Sequence, residues 1–284
     1  MKREYIIMDD FWWLPEDMSI KGLLVGVGHH KQVADSEDVP PLDSWYRSLD
    51  QKGNLSSNIE HYPIRSLNRW RKACKNTNVY RTLKVFDGNT GEAIFLGPFL
   101  VDIDNSDEDL DDAQTVTKQI VVYLTEQRGL SSDGIRIFFS GRKGFNVEIC
   151  PEVLEISGSV PNQIELSARR LDEIIASLRN INNIRDSYED IVDSQGVVIA
   201  QCYTTRNIVS SQQTAIDRIY GDRFGYRLKH PYIRLHRSIN KWIRNDGSKM
   251  TRMRIELSIE QLWSINAVGI SSKAEESAQM FQLT

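Results

Sequence analysis

The chain has 284 residues, 40% of them hydrophobic, which is enough apolar material for one large globular domain or two small ones. Its net charge of −4 argues against a protein that coats nucleic acid indiscriminately, and no apolar run approaches the roughly 20 residues that a membrane-spanning helix needs. The cysteines Cys74, Cys150 and Cys202 are too scattered for a disulfide framework or a zinc site, so we expect a cytoplasmic protein without zinc.

The apolar pattern predicts a mixed α/β (α+β) fold, with helices against a mainly antiparallel sheet. We expect an N-terminal region at 1–78 that packs on a core at 79–257, followed by a C-terminal helix and polar tail at 258–284. The predicted elements, in chain order, are strands at 79–86, 93–95 and 99–103, a helix from the N-cap Ser106 to Gly129, a hairpin at 135–149, a helix at 161–180, strands at 233–235 and 253–257, a helix opened by a Ser258–Gln261 capping box, and a polar tail from Ser271.

The charges are unevenly distributed along this order. Residues 102–112 contain seven acids and no base, whereas residues 227–254 contain nine lysines or arginines and one acid, Asp246. Either run alone would suit an ordinary solvated face. Both lie beside the motifs described below, which favours a role in binding.

The apolar strand that begins at Phe99 ends in two acids, Asp102 and Asp104. Because side chains two residues apart lie on the same face of a strand, both carboxylates face one side while Val101 and Ile103 face the core. Two carboxylates so placed can hold divalent cations about 4 Å apart, an arrangement that serves phosphoryl transfer. Such a pair would also cap the helix that follows, and the spacing alone favours that simpler interpretation.

The predicted hairpin tip gathers a serine, two glycines, two cations and an asparagine: Ser140, Gly141, Arg142, Lys143, Gly144 and Asn146. Glycines let backbone N–H groups approach phosphate oxygens, while the polar side chains supply hydrogen bonds and charge. The composition suits a triphosphate, and it also suits an ordinary exposed turn.

A third segment contains Arg234 and, four residues later, Ser238. These residues offer a planar guanidinium and a hydroxyl to a phosphate. Upstream, Asp217 and Asp222 compete as a third metal-site acid. Asp217 follows the apolar Ile216, the pattern of a residue leaving a buried strand, so we favour it over Asp222.

Together and in this order, the segments resemble the archaeo-eukaryotic primase superfamily, which includes primase small subunits and primase-polymerases. The family pattern is a strand with two acids two residues apart, a Ser-Gly-x-x-Gly-x-His hairpin, a third acid, and an Arg-Leu-x-x-Ser-x-His/Asn segment, which Asn240 completes here. The resemblance spans about residues 79–257. It implies the primase fold, with a mainly antiparallel, RRM-like sheet flanked by helices.

The resemblance also implies a function, template-dependent nucleotidyl transfer by a DNA primase or primase-polymerase in replication or repair. Asp102, Asp104 and Asp217 would hold two Mg²⁺ or Mn²⁺ ions. The hairpin tip, with Arg234, Ser238 and Asn240, would bind a nucleoside triphosphate, and the basic run at 227–254 would serve nucleotide and DNA or RNA template and primer contacts.

Asn146 departs from this pattern, because the family has a histidine there. An amide donates a hydrogen bond but cannot become charged, and losing one charge-assisted contact costs about 1.5–3 kcal/mol. The alternative is therefore a primase fold that binds nucleotide or nucleic acid beside a protein partner in a replication, repair or defence assembly, with weak or no catalysis. The intact pair Asp102 and Asp104 favours the enzyme.

Overall fold

The computed structural model describes residues 9–14, 18, 20–29, 61–64, 67–68, 71, 79–104, 110–142, 144–179, 186–192, 198–205, 232–244 and 247–283. The chain divides into two compact units. The first comprises Met1–Gly97, Tyr232–Arg254 and Glu275–Thr284, and the second comprises Pro98–Pro231 and Ile255–Ala274. This division cuts across the predicted core at 79–257.

The described elements confirm a mixed α/β chain with antiparallel sheets. The strands are β1 (Leu23–His29), β2 (His61–Pro63), β3 (Val79–Thr82), β4 (Val85–Asp87), β5 (Ala93–Phe95), β6 (Phe99–Asp104), β7 (Ile135–Phe139), β8 (Gly144–Ile149), β9 (Asp186–Val192), β10 (Val198–Thr205), β11 (Tyr232–Arg234), β12 (Ile239–Ile243), β13 (Lys249–Met253) and β14 (Ile255–Leu257). The helices are α1 (Leu110–Val122), which continues into a π-helical turn at Tyr123–Gln127, α2 (Val160–Arg179), α3 (Ile259–Ser264) and α4 (Ala267–Leu283). No helix in the described ranges is long and apolar enough to cross a membrane.

The first unit contains an antiparallel sheet in the order β11-β3-β1-β4-β5, with β2 also paired to β1. The strand predicted at 79–86 is two strands, β3 and β4, which pair with successive parts of β1: β3 with residues 27–29, and β4 with residues 23–24. Thr82 lies at the interruption between them, where its buried hydroxyl accepts a hydrogen bond from the Gly26 N–H at 2.9 Å and donates one to the Lys84 carbonyl at 2.8 Å. The predicted strand is interrupted because there are five residue steps from Arg81 to Phe86 against three from Val27 to Leu24, so two residues are extra, as in a β-bulge.

A buried polar cluster joins the N-terminal turn at residues 9–14 to the turn that follows β11. Asp10 forms an ion pair with Arg71 at 2.6 Å, and its other carboxylate oxygen accepts the His236 N–H at 2.7 Å. Arg71 also donates to the His236 carbonyl oxygen. Arg81, only 1% exposed, donates to the Asp10 carbonyl at 2.6 Å and lies 4.6 Å from the centre of the Phe11 ring. Each charge is therefore buried with a partner, as buried charges require.

The second unit contains a four-stranded antiparallel sheet in the order β14-β7-β8-β6. One sheet face is apolar and packs on α1 through β6 and β8. The buried α1 positions repeat at helical spacing, as predicted: Ala113, Val116 and Ile120, with Leu124 in the π-helical turn. Gln114 fixes the helix further, because its amide donates to the Leu262 and Ile265 carbonyls at 2.7 Å each.

The C-terminal part differs from the prediction. The predicted strand at 253–257 is divided between β13, which pairs with β12, and β14, which pairs with β7. The Ser258–Gln261 capping box is present and opens α3, but residues 271–283, expected as a polar tail, belong to helix α4. Its buried apolar residues lie three to four positions apart and are mostly alanines, which stand out poorly between serines and glutamates: Ala267, Ile270, Ala274 and Ala278.

The β4–β5 turn yields a test of local stability. The Asp87 carboxylate accepts the Thr90 and Asn89 backbone N–H groups at 2.9 and 2.7 Å, and these bonds, that of Thr90 first, lower the pKa of Asp87. A carboxylate with a depressed folded-state pKa stabilises the fold above its unfolded pKa of about 3.9, and this contribution is lost as the pH falls through the folded pKa.

We expect Asp87→Ala to lower the melting temperature near neutral pH, with the deficit shrinking as the pH falls below about 4. Asp87→Asn is the matched control, since it keeps an acceptor oxygen and should lose less. Thermal unfolding followed by circular dichroism at several pH values measures both. An Asp87→Ala deficit that does not change with pH would contradict the assigned role.

Candidate nucleotide and metal site

The acid pair and the glycine-containing hairpin meet on adjacent strands of the second unit. In the β6–β8 register, Asp102 pairs with Asn146 and Asp104 pairs with Gly144. Residues directly opposite each other in an antiparallel ladder lie on the same sheet face. Positions 102, 104 and 146 therefore share one face, as strand alternation predicted for Asn146.

The hairpin tip is closed by backbone geometry. The Ser140 N–H donates to the Gly144 carbonyl at 3.0 Å, which joins the ends of β7 and β8. Between them, Gly141 has a φ of +89°, a left-handed conformation that glycine adopts at little cost. Gly141 is buried and Arg142 is exposed, so the tip presents a cation outward. Lys143 lies outside the described residues.

Asn146 lies in the middle of a three-strand row. Asp102 is its register partner on β6, and Phe138 is its partner on β7. The Asn146 side chain is half-buried, and its Nδ2 donates to the Phe145 carbonyl at 3.3 Å. An amide rather than an ionisable ring therefore stands directly across from Asp102.

The donor chemistry of β6 suits a hard divalent cation. Carboxylate oxygens are the ligands that Mg²⁺ and Mn²⁺ prefer, and Gly144 places no side chain opposite Asp104. Among the side chains that the structure describes, no three His, Cys, Asp or Glu residues form a metal site. The side chains of Asp102 and Asp104 are outside the described part of the structure. Asp217 and Asp222 also lie outside the described residues, so the choice between them stays a prediction.

The other predicted phosphate-binding residues belong to the first unit. Arg234 is half-buried on β11, with its Nη2 donating to the Tyr80 hydroxyl at 2.7 Å and its guanidinium 5.2 Å from the centre of the Tyr80 ring. The fully buried Ser238 accepts the Val79 N–H at 3.1 Å through Oγ. Asn240 is buried on β12, opposite Arg252. These contacts stabilise the first unit, and a role in phosphate binding stays a prediction for all three residues.

The candidate face also carries a charged pair that sequence reasoning missed. Glu148 follows Asn146 by two residues, is only 2% exposed and pairs in register with Arg136. Arg136 also lies 3.6 Å from Glu256. Alternation along the strand places Glu148 on the face of Asn146, but its burial and its pairing with Arg136 depend on the neighbouring strand. A buried carboxyl group and its register partner Arg136 therefore lie next to the row of Asp102.

Cys150, which follows β8, is half-buried. Burial raises its pKa above the usual value for a thiol, because a thiolate loses solvation when it is buried. The side chain therefore stays protonated near neutral pH, when a metal ligand or nucleophile would need the thiolate.

A comparison of the sequence with protein-family models gives no match, and neither does a comparison with curated proteins. Membership of the primase superfamily therefore stays a prediction, and the motif residues themselves support it.

The hairpin tip provides a test. We expect Gly141→Ala to lower stability by about 1–2 kcal/mol, because a side chain is strained at this positive φ, and also to weaken binding of a nucleoside triphosphate. Gly91→Ala is the matched control, because Gly91 has a φ of +73°, an added Cβ meets nothing within 4 Å, and the β4–β5 turn carries no predicted site residue. Calorimetric titration with nucleotide and Mn²⁺ should separate the variants, and equal nucleotide affinities would count against a phosphate role for the tip.

Proposed function

We propose that the chain is a template-dependent nucleotidyl transferase of the primase or primase-polymerase type. The β6–β8 register is the observation that carries the proposal. It brings Asp102 beside Asn146, and Asp104 beside Gly144, although these pairs lie roughly 40 residues apart in the sequence. Two motifs that each have an ordinary explanation alone thus share one sheet face, as a combined metal and triphosphate site requires.

The fold of the second unit supports the same proposal. Its antiparallel sheet packs α1 on one face and carries the candidate residues on the other. We propose that this sheet corresponds to the RRM-like sheet of the primase fold. The apolar face would then hold the site in place through the core rather than through loops.

The proposed substrates are nucleoside triphosphates and a DNA or RNA template and primer. Two Mg²⁺ or Mn²⁺ ions, held by Asp102, Asp104 and a third acid, would lower the pKa of the attacking hydroxyl and offset charge on the leaving pyrophosphate. The chain's own groups orient the triphosphate: backbone N–H groups and Ser140 at the tip, with charge from Arg142. Asn146 supplies a neutral hydrogen bond beside them.

A nucleotide-binding or nucleic-acid-binding module is the second candidate. Asn146 favours it, because an uncharged side chain directly across from Asp102 binds a charged phosphate more weakly than a charged one would. Such a module would act with a protein partner in a replication, repair or defence assembly. The two candidates differ in turnover but not in binding, so both must be measured.

A primer-synthesis and extension assay with labelled nucleotides and Mg²⁺ or Mn²⁺ tests the proposed enzyme. We expect Asp102→Ala or Asp104→Ala to abolish extension while the melting temperature changes little, because each substitution removes a metal ligand rather than a core residue. Glu256→Ala is the control, since Glu256 lies on β14, the opposite edge strand of the sheet, three strand spacings or about 14 Å from β6. Primer extension at the wild-type rate in both aspartate variants would contradict the metal-site assignment.

Position 146 separates the enzyme from the binding module. We expect Asn146→His to raise extension or nucleotide affinity about 10-fold to 100-fold, the equivalent of one charge-assisted hydrogen bond. Asn146→Ala is the control and should lower nucleotide affinity. If the wild-type and histidine proteins both bind nucleotide but neither extends a primer, the chain is a binding module.

A further inference from the structure

The structure divides the basic run at 227–254 into buried and exposed cations. Arg252 and Arg254 are buried, and Arg234 is half-buried. Arg252 pairs with Glu275 at 2.7 Å and lies 5.4 Å from the centre of the Trp242 ring, so it serves the fold of the first unit. Part of the run is therefore structural, although the sequence alone suggests a continuous binding surface.

The exposed part gathers on the β12–β13 hairpin. Register pairs Lys241 with Thr251 and Ile243 with Lys249, and alternation places these four residues on one face, away from Asn240, Trp242 and Arg252. The loop is closed by the Arg244 N–H, which donates to the Ser248 carbonyl at 2.9 Å. We call Lys241, Ile243, Arg244, Lys249 and Thr251 the hairpin surface.

The two faces of this hairpin differ in burial toward its loop end, whereas Ile239 and Met253 at the other end are buried although they share the face of Lys241. Asn240, Trp242 and Arg252 are all buried, so the inner face anchors the hairpin in the first unit. On the hairpin surface, Arg244 and Lys249 are exposed, Lys241 is half-buried, and Ile243 is 50% exposed. The hairpin thus presents two exposed cations, one half-buried cation and one apolar side chain on this surface.

These cations form a concentrated positive patch on an acidic protein. None of the three forms an ion pair with a carboxylate of the described residues, and Asp246 of the loop lies outside those residues. Lys241 and Lys249 are diagonal neighbours, which places them about 7–8 Å apart. Like charges at this spacing repel each other, and a polyanion bound across them would offset that cost.

We propose that the hairpin surface binds the phosphodiester backbone of a nucleic acid without regard to base sequence. The charges favour phosphates, and the aromatic residue of the hairpin, Trp242, lies on the buried face and offers no stacking platform for a base. An anionic membrane fits less well, because one exposed apolar residue gives little surface to insert between lipids. The inference deepens the proposed function and rests on it, since a template-dependent enzyme needs a strand-binding surface.

The test compares two triple-alanine variants that remove the same charge. One replaces Lys241, Arg244 and Lys249, and the control replaces Lys21, Arg128 and Arg169, whose side chains lie on the surface of other elements. Fluorescence anisotropy measures binding to a labelled single strand and a duplex, each in two unrelated sequences, across a range of salt concentrations. Melting temperatures verify that both variants fold.

For the single strand, we expect the hairpin variant to bind about tenfold or more weakly than the wild type. A plot of log affinity against log salt concentration should become less steep by about 2, as the loss of three phosphate contacts requires. The control should change by less than about twofold, and the two sequences should bind alike. Equal losses in both variants, wild-type affinity in the hairpin variant, a strong preference for one sequence, or equally tight binding to phosphatidylserine vesicles would each overturn the inference.

The same proteins distinguish this inference from the proposed function. Because binding is measured without nucleotide or metal, Asp102→Ala should bind nucleic acid as the wild type does. If the wild type fails to extend primers while the hairpin variant loses binding, the proposed activity is wrong and the binding surface stands. If the hairpin variant binds and extends normally, the activity stands and the binding surface is wrong.

Discussion

The pairing of β6 with β8 is the constraint on which the candidate site depends. A slip of one residue would exchange the faces of a strand, sending Asp102 and Asp104 into the apolar layer and Val101 and Ile103 out of it. Burial of those two apolar residues, together with Phe145 and Val147 on β8, opposes such a slip. The positions of the acids are thus set by residues that carry no chemistry themselves.

The spacing of apolar residues also explains which parts of the fold could be predicted from the sequence. The β7–β8 hairpin and α1 have strong apolar periodicity flanked by turn or cap residues; the hairpin occurs close to its predicted bounds and the helical turns after α1 end close to Gly129. The predicted N-cap Ser106 lies outside the described residues. The interruption between β3 and β4 was not predictable, because it depends on pairing with β1, which lies some 60 residues earlier. Helix α4 was missed because its buried stripe consists largely of alanine, which patterns weakly among polar residues.

Prediction of the site had similar limits. Local spacing was enough to predict that Asn146 shares a face with the acids, since alternation requires no knowledge of the partner strand. The burial of Glu148 and its pairing with Arg136 depend on the neighbouring strand. Ser238 shows that spacing can also suggest a role that a residue's contacts do not reflect. The sequence pattern predicts that its hydroxyl binds phosphate, whereas in the structure the hydroxyl accepts a hydrogen bond from a backbone N–H of the first unit. Which partner a polar group takes is decided by tertiary contacts that spacing does not encode.

The cluster around Asp10 has a consequence for synthesis of the chain. Its partners Arg71 and Arg81 leave the ribosome early, but the backbone of His236, which accepts from Arg71 and donates to Asp10, emerges more than 200 residues after Asp10. Until then the early strands also lack β11, the partner of β3. The first unit therefore completes only after most of the second unit has been translated, and the nascent chain carries an unfinished sheet edge and incompletely satisfied charges for most of elongation. Until that closure, β3 has an open edge at which other chains can pair.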